Sequence, residues 1–234
     1  RTETNTFFAN EFMNKGRLME QYQKEFIEFA IDKEVLRFGE FTLKSGRVSP
    51  YFFNSGLFND GKSLSELGKY YASAVKHAAV QFDMIYGPAY KGIPLASTMA
   101  IAFQEEHQEN YPFCFNRKEV KDHGEGGITF GADINGRVLI IDDVISAGTS
   151  IRESKALISA KGASTVAAVV AVDRQERGEG PLSAIQEVEQ LHNIQVISIV
   201  SLDNIITFLA EHGEMPEHLD AINSYKQEYG SVQA

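Results

Sequence analysis

Residues 138–150 restrict the possible folds of this chain more than any other stretch. Val138, Leu139, Ile140 and Ile141 are apolar at four successive positions, which demands a strand covered on both faces. The run ends in two acids, Asp142 and Asp143, and passes through Ser146, Ala147, Gly148, Thr149 and Ser150 into a helical pattern. Backbone amides at a helix start carry partial positive charge and point outward, so they bind phosphate. Gly148 allows close approach, and Thr149 and Ser150 add hydroxyl donors. The two acids cannot hold that phosphate; they suit sugar hydroxyls or a hydrated cation. Together these groups describe a site for a sugar phosphate. The turn is not a Walker A loop, since no Gly-Lys-Ser/Thr is present. The structural alternative is an ordinary strand-terminal turn with Thr149 as helix N-cap.

The rest of the chain supplies the sheet that such a strand needs. Hydrophobic periodicity predicts a helix over 19–35, strands at 38–43 and 51–54 with a turn at Ser45 and Gly46, and a helix over 62–80. A short strand at 84–86 then meets Gly87 and Pro88. It is followed by a helix over 93–106 and a strand at 112–116. Further strands are predicted at 137–142, 164–172 and 194–200, with helices over 149–160 and 182–191, a polar loop at 173–180 and two C-terminal helices. Strands alternating with helices indicate an α/β fold, with a central, mostly parallel sheet flanked by helices. Ligands of such sheets bind beyond the carboxyl ends of the strands. The chemically interesting segments, 87–91, 117–123, 142–150 and 173–177, all follow strand ends, which argues for one site.

The segment 117–127 carries Arg117, Lys118, Lys121 and His123 among glycines with no apolar period, and reads as a loop long enough to act as a lid. Taken alone, its cations also fit a solvated charge run. Other residues have plain readings too. Phe52 and Phe53 fit a core, Glu105 and Glu106 a solvated helix face, and Arg174 a surface pair with Glu176 or Asp173. Lys91 sits where a helix starts, against the helix dipole, which suggests another reason for its presence. His77, His107, His192, His212 and His218 show no ligand spacing and read as surface residues.

Composition narrows the class. With 234 residues, 43% of them hydrophobic and 23% charged, the chain can bury a core. A net charge of −10 opposes general nucleic-acid or anionic-membrane binding, which needs a positive field. The single cysteine, Cys114, lies between Phe113 and Phe115 and reads as a buried structural thiol. There is no apolar run of about 18 residues and no secretory h-region, so a cytoplasmic location is expected. Residues 1–18 lack the periodicity that begins at Met19 and are expected to be a non-native or disordered extension. Residues 19–234 are then expected to form a single domain whose small hood subdomain comes mainly from 19–60.

The acidic pair with its small hydroxyl-rich turn resembles the phosphoribosyl-pyrophosphate (PRPP) motif of type I phosphoribosyltransferases. The resemblance extends to 38–47, 49–54, 87–94, 116–126 and 173–178. In these segments the chain is similar to orotate phosphoribosyltransferases, close to the enterobacterial form, over essentially residues 19–229. That resemblance implies a pentosyltransferase that joins orotate to the ribosyl group of PRPP with Mg²⁺, the metal held mainly by PRPP and water with no direct protein ligand.

It also implies roles for individual residues. Asp142 and Asp143 would hold the ribose hydroxyls, and Val144, Ile145, Ser146, Ala147, Gly148, Thr149 and Ser150 the 5′-phosphate. Lys44, Tyr90, Lys91, Arg117, Lys118, Lys121 and His123 would contact PRPP. Phe52, Phe53, Ser146 and Arg174 would hold orotate, with Ser146 standing where the family is expected to have threonine. Lys91, Lys121, His123 and Asp143 carry the implied catalytic roles, and a homodimer that shares the 117–123 loop across subunits follows. The competing readings are a phosphoribosyltransferase for another base and a non-catalytic PRPP-sensing regulator. The regulator reading is disfavoured by the acidic charge and the lack of an appended helix-turn-helix segment.

Overall fold

The computed structural model describes residues 19–43, 45–121, 127–213 and 215–232, with the backbone alone at 119–121 and 127. The expectations for residues 1–18, Lys44 and His123 therefore lie outside the described residues, as does the Lys121 side chain.

The apolar run at 138–141 becomes β6 (Arg137–Ile141), buried along all four of those residues. Val138 and Ile140 join one hydrophobic cluster while Leu139 and Ile141 join the other, so the strand is covered on both faces. The other strands of its sheet are β3 (Met84–Gly87), β4 (Phe113–Lys121), β5 (Gly127–Gly131), β7 (Ser164–Asp173) and β8 (Gln195–Ser201). Their spatial order is β5-β4-β3-β6-β7-β8, parallel except for the antiparallel β4–β5 pair. From β3 the chain winds outward to β4, and from β6 it winds the other way to β7. The carboxyl ends of β3 and β6 therefore flank a topological switch point, where open α/β sheets form their ligand crevice. Tyr86 and Ile140 are in register across it.

Helices α1 (Gln21–Asp32), α2 (Gly61–His77), α3 (Gly92–His107), α6 (Leu202–His212) and α7 (Pro216–Tyr229) contribute to the larger cluster. Helices α4 (Thr149–Ala160) and α5 (Ala184–His192) cover the opposite face through Ile151, Ile158 and Val188. Asp60 starts α2 by accepting the Ser63 amide at 2.8 Å, and Ser183 and Ser201 cap α5 and α6 in the same way. Strands β1 (Leu36–Thr42) and β2 (Val48–Phe53) form a separate antiparallel pair that packs against α7. The N-terminal part thus divides in two: α1 buries Phe26, Ile27 and Ala30 in the main core, and the β1–β2 pair stands apart from the central sheet.

Two expectations change. The segment 117–127 is not a single loop. Strand β4 continues to Lys121, and β5 returns beside it with Phe115 opposite Phe130 and Lys121 opposite Gly127. The cause is cross-strand pairing rather than an apolar period: the Phe115 and Phe130 rings lie 5.3 Å apart, and the Arg117 guanidinium sits 5.4 Å from the Phe130 centroid. An arm with one solvated face has no need of the continuous apolar run that marks a buried strand. The second change is at α4, where Gly148 with φ +66° is the N-cap and Thr149 is the first helical residue.

Candidate active site

The acidic pair emerges from β6 into the crevice. Asp142 accepts the Asp143 amide at 2.9 Å and the Ser150 hydroxyl at 2.9 Å, so its carboxylate ties the strand end to the first turn of α4. From below, the Tyr71 hydroxyl donates to the Asp142 carbonyl at 2.9 Å. Burial, with the Asp143 and Asp142 charges beside it, pushes the Tyr71 phenol well above its ordinary range and keeps it a neutral donor. Burial also pushes the Asp142 carboxyl up to about 6. The Asp143 charge acts in the same direction, while the hydrogen bonds from the Asp143 amide and Ser150 oppose it.

Asp143 is only 6% exposed. Its Oδ2 accepts Lys91 Nζ at 2.5 Å and Ser55 Oγ at 2.6 Å. Lys91 lies just before α3 and makes no capping bond there, so its cation against the helix dipole is explained by this reach across the crevice. The Lys91 side chain is 61% exposed while that of Asp143 is 9% exposed: the lysine stands at the rim and the acid at the base. Ser55 is a site residue that sequence reasoning missed. It follows β2 in a single 3-10 turn (Ser55–Leu57) and brings the segment after Phe52 and Phe53 onto the acidic pair.

The loop between β3 and α3 is shaped by two glycines. A Cβ on Gly87 would lie 2.1 Å from the Gly92 carbonyl oxygen, which leaves room only for hydrogen at that crossing. The Ala89–Tyr90 peptide is cis. Asn116 Oδ1 accepts the Ala89 amide at 2.7 Å, another contact not foreseen from sequence, and fixes this loop to β4. Tyr90 is exposed, with the Lys118 ammonium of the same chain 4.7 Å from its ring centroid. Tyr90, Lys91 and Lys118 therefore stand along one side of the crevice, between β3 and the β4–β5 arm, whereas Arg117 lies over Phe130 of β5.

On the other side, α4 begins at the turn 144–150. Gly148 adopts a left-handed conformation, and a Cβ there would meet Val188 Cγ2 at 2.7 Å. Val188 is buried and cannot yield freely. Gly148→Ala is expected to destabilise the fold by about 1–2 kcal/mol through the left-handed strain alone. Thermal unfolding checks this, and an unchanged melting temperature contradicts it.

Beyond the turn lies a cleft of about 840 Å³ lined by Leu43, Val144, Ser146, Arg174 and Ile185, among others. It joins Ser146 to Arg174. Phe52 and Phe53 do not line it. The Phe52 ring stacks on Phe41 at 5.5 Å, and the Phe53 ring faces Phe26 in the core at 6.4 Å. Instead, β2 presents Ser49 and Tyr51 to Arg174. Arg174 also pairs with Glu176 and not with Asp173, but the pair is half-buried and not on the surface. Cys114 is buried and its thiol is pushed up to about 12 by burial, which suits packing and not nucleophilic attack.

The comparisons agree with this geometry. The phosphoribosyl transferase domain model matches residues 56–203. An orotate phosphoribosyltransferase from Vibrio vulnificus is 58% identical over 212 residues, covering 91% of this chain and all of that relative. One from Pectobacterium carotovorum is also 58% identical with the same coverage. The crystal structure of orotate phosphoribosyltransferase from Francisella tularensis is 40% identical and covers 88% of this chain and 100% of that one, with a TM-score of 0.81. With a crevice at the switch point and this likeness along nearly its whole length, the chain belongs to the orotate phosphoribosyltransferase family, within the type I phosphoribosyltransferase fold.

Proposed function

We propose that this orotate phosphoribosyltransferase moves the 5-phosphoribosyl group of PRPP onto a ring nitrogen of orotate, giving orotidine 5′-monophosphate and pyrophosphate. This is the penultimate step of pyrimidine nucleotide (UMP) synthesis. The observation that carries the division of labour is the contact of Lys91 and Ser55 with Asp143, beside the amides of 147–150 and opposite the Arg174 cleft.

In this reading the 5′-phosphate sits on the 144–150 turn, and the hydroxyls of the ribose donate to Asp142 and Asp143. The reaction builds positive charge on the ribose and negative charge on departing pyrophosphate, so cations at the pyrophosphate side lower the barrier. Lys91 is placed to turn from Asp143 to that pyrophosphate, with Tyr90 and Lys118 beside it and Arg117 on the β4–β5 arm. Among the described residues no group of three or more His, Cys, Asp or Glu side chains is placed to hold a metal ion. That donor set fits a Mg²⁺ carried on PRPP, with Asp142 and Asp143 nearby as acceptors. Bound there, the ion supplies charge neutralisation of the leaving group.

Orotate carries a carboxylate, which gives the cationic Arg174 its place on the base side, with Ser146 as a hydroxyl neighbour and the Phe52–Phe53 segment bordering the ring. The β4–β5 arm, with Lys121, closes over PRPP to exclude water, and the part of His123, which lies outside the described residues, rests on the resemblance. In a homodimer the arm also serves the neighbouring subunit. The β1–β2 side acts as a hood, and the contact of Lys44 with PRPP rests on the resemblance. No helix of the described residues is long and apolar enough to cross a membrane; we place the enzyme in the cytoplasm.

Steady-state assays with PRPP, Mg²⁺ and orotate, uracil, adenine or hypoxanthine test the substrate. Turnover with orotate alone is expected, and none with orotate would overturn the reading.

The acidic pair also predicts a pH dependence. The folded Asp142 value of about 6 lies above its ordinary 3.8. The free protein therefore binds this proton more tightly than the unfolded chain between those values, and the group's contribution to stability falls as pH rises through that window. Substrate runs the other way, because hydroxyl donors need the ionised carboxylate. KM for PRPP is expected to rise as pH falls below about 6. Asp142→Asn should raise KM at neutral pH and remove that inflection; the same inflection in the variant would assign it to another group.

A further inference from the structure

The turn that follows β7 holds a charged contact that the roles above leave unused. Glu176 Oε1 accepts Arg174 Nε at 3.0 Å and Arg174 Nη2 at 2.5 Å, and also takes the Tyr51 hydroxyl at 3.1 Å. Ser49 Oγ lies 3.5 Å from the same Nη2, and the guanidinium carbon stands 4.7 Å from the Tyr51 ring centroid. One carboxylate oxygen thus occupies the Nε–Nη2 edge of a planar fork that has five N–H donors. Nη1 makes no hydrogen bond among the described residues.

The backbone is built to make this pair. Gln175, between the two residues, has φ +52°, a left-handed conformation uncommon for a residue with a side chain. It is held there from three directions. Asp173 Oδ1 accepts its amide at 2.9 Å, and Ser231 donates to its carbonyl at 2.8 Å. Its side chain exchanges two hydrogen bonds with Asp203, at 3.0 and 2.9 Å. Lys226 pairs with Asp203 in turn. The start of α6 and the C-terminal segment therefore anchor the turn that carries Arg174 and Glu176.

We infer that Glu176 is a positioning residue for base selection, locking the Arg174 guanidinium in one plane so that Nη1 stays available to the carboxylate of a carboxylated pyrimidine. The inference rests on the reading of Arg174 as the group that meets that carboxylate. The geometry decides between two opposed effects of Glu176. Its charge weakens the attraction of Arg174 for an anion, while its two bonds remove the freedom of a long side chain in an open cleft of about 840 Å³. Arg174 and Glu176 side chains are 23% and 14% exposed, and Tyr51 and Ser49, both buried, close the same edge. A fork confined on that many sides is pre-organised, and a planar guanidinium recognises carboxylate by geometry as much as by charge.

The test is steady-state kinetics on Arg174→Ala, Glu176→Ala and Glu176→Gln, with KM measured separately for orotate and PRPP. Glu176→Ala is expected to raise the orotate KM by about tenfold, with the PRPP KM within about twofold. Glu176→Gln keeps an oxygen acceptor and is expected to recover the orotate KM to within about threefold of the parent. A change in general folding would move both KM values and would not be rescued by glutamine. If Glu176→Ala does not fold, Glu176→Asp, which keeps the charge but shortens the reach, should show the same orotate-selective rise. An unchanged or lowered orotate KM in the alanine variant, or in the aspartate variant if that one is needed, overturns the positioning role. If Arg174→Ala itself leaves the orotate KM unchanged, the reading of the cleft fails first; if it raises the KM while Glu176→Ala does not, only the role of Glu176 fails.

Discussion

Replacing Asp143 by asparagine is expected to lower kcat/KM by about two to three orders of magnitude while shifting the melting temperature by only a few degrees. Asp143 is the point where three chain segments meet: it follows the end of β6 by two residues, Lys91 reaches it from the β3 loop, and Ser55 reaches it from the turn after β2. Asparagine keeps the shape and one acceptor but removes the charge that places Lys91 and receives a ribose hydroxyl. Stability is expected to survive because the Lys91 side chain is 61% exposed, and an ion pair with one solvated partner contributes about 1 kcal/mol or less. The backbone of the site is held independently by the Ala171 amide, which donates to the Asp143 carbonyl at 2.9 Å. A variant of parental activity would remove Asp143 from the mechanism. A variant that unfolds at ordinary temperature would make the acid structural.

Lys121→Ala is expected to lower kcat by about a hundredfold or more with a much smaller change in PRPP binding. Lys121 is the last residue of β4 and pairs with Gly127 at the end of the two-stranded arm, so its backbone lies where the expected lid begins. A cation that meets departing pyrophosphate only when the arm closes acts on the transition state more than on the ground state. If the arm serves the neighbouring subunit, an inactive Lys121→Ala chain and an inactive Asp143→Asn chain complement each other. Equal mixing gives half heterodimers with one intact site each, so up to about a quarter of parental activity should return after subunit exchange. Verified exchange with no recovery would place each arm over its own crevice. An unchanged kcat in the single variant would remove Lys121 from the reaction.

The parts of this structure legible in sequence are those where the local pattern and the burial agree. The run 138–141 is apolar on both faces because β6 lies between two clusters, and the helix after it starts where the small residues end. The β4–β5 arm carries no continuous apolar run, because cross-strand pairs such as Phe115 with Phe130 hold it and one of its faces is solvated, so its polar residues read as a loop. Gly148 displaced Thr149 as N-cap because a left-handed residue, and not a hydroxyl, makes the turn into α4. Ser55 lies 88 residues from Asp143 and meets it only through the fold, so no spacing announces it. Arg174 and Glu176 are two residues apart, yet their pairing depends on the left-handed turn at Gln175, which composition does not encode. Family resemblance supplied roles for Phe52 and Phe53, whereas the packing turns Phe53 toward the core and presents Ser49 and Tyr51 to Arg174.

The central claim is that one crevice divides ribose phosphate, pyrophosphate and base among the 144–150 turn, the β3 loop and the Arg174 cleft. A crystal structure with PRPP, Mg²⁺ and orotate bound tests it most directly. The 5′-phosphate is expected on the amides of 147–150, the ribose hydroxyls on Asp142 and Asp143, Lys91 turned to pyrophosphate, and the orotate carboxylate on Arg174. A 5′-phosphate bound away from the 144–150 turn, or an orotate carboxylate without contact to Arg174, would contradict it.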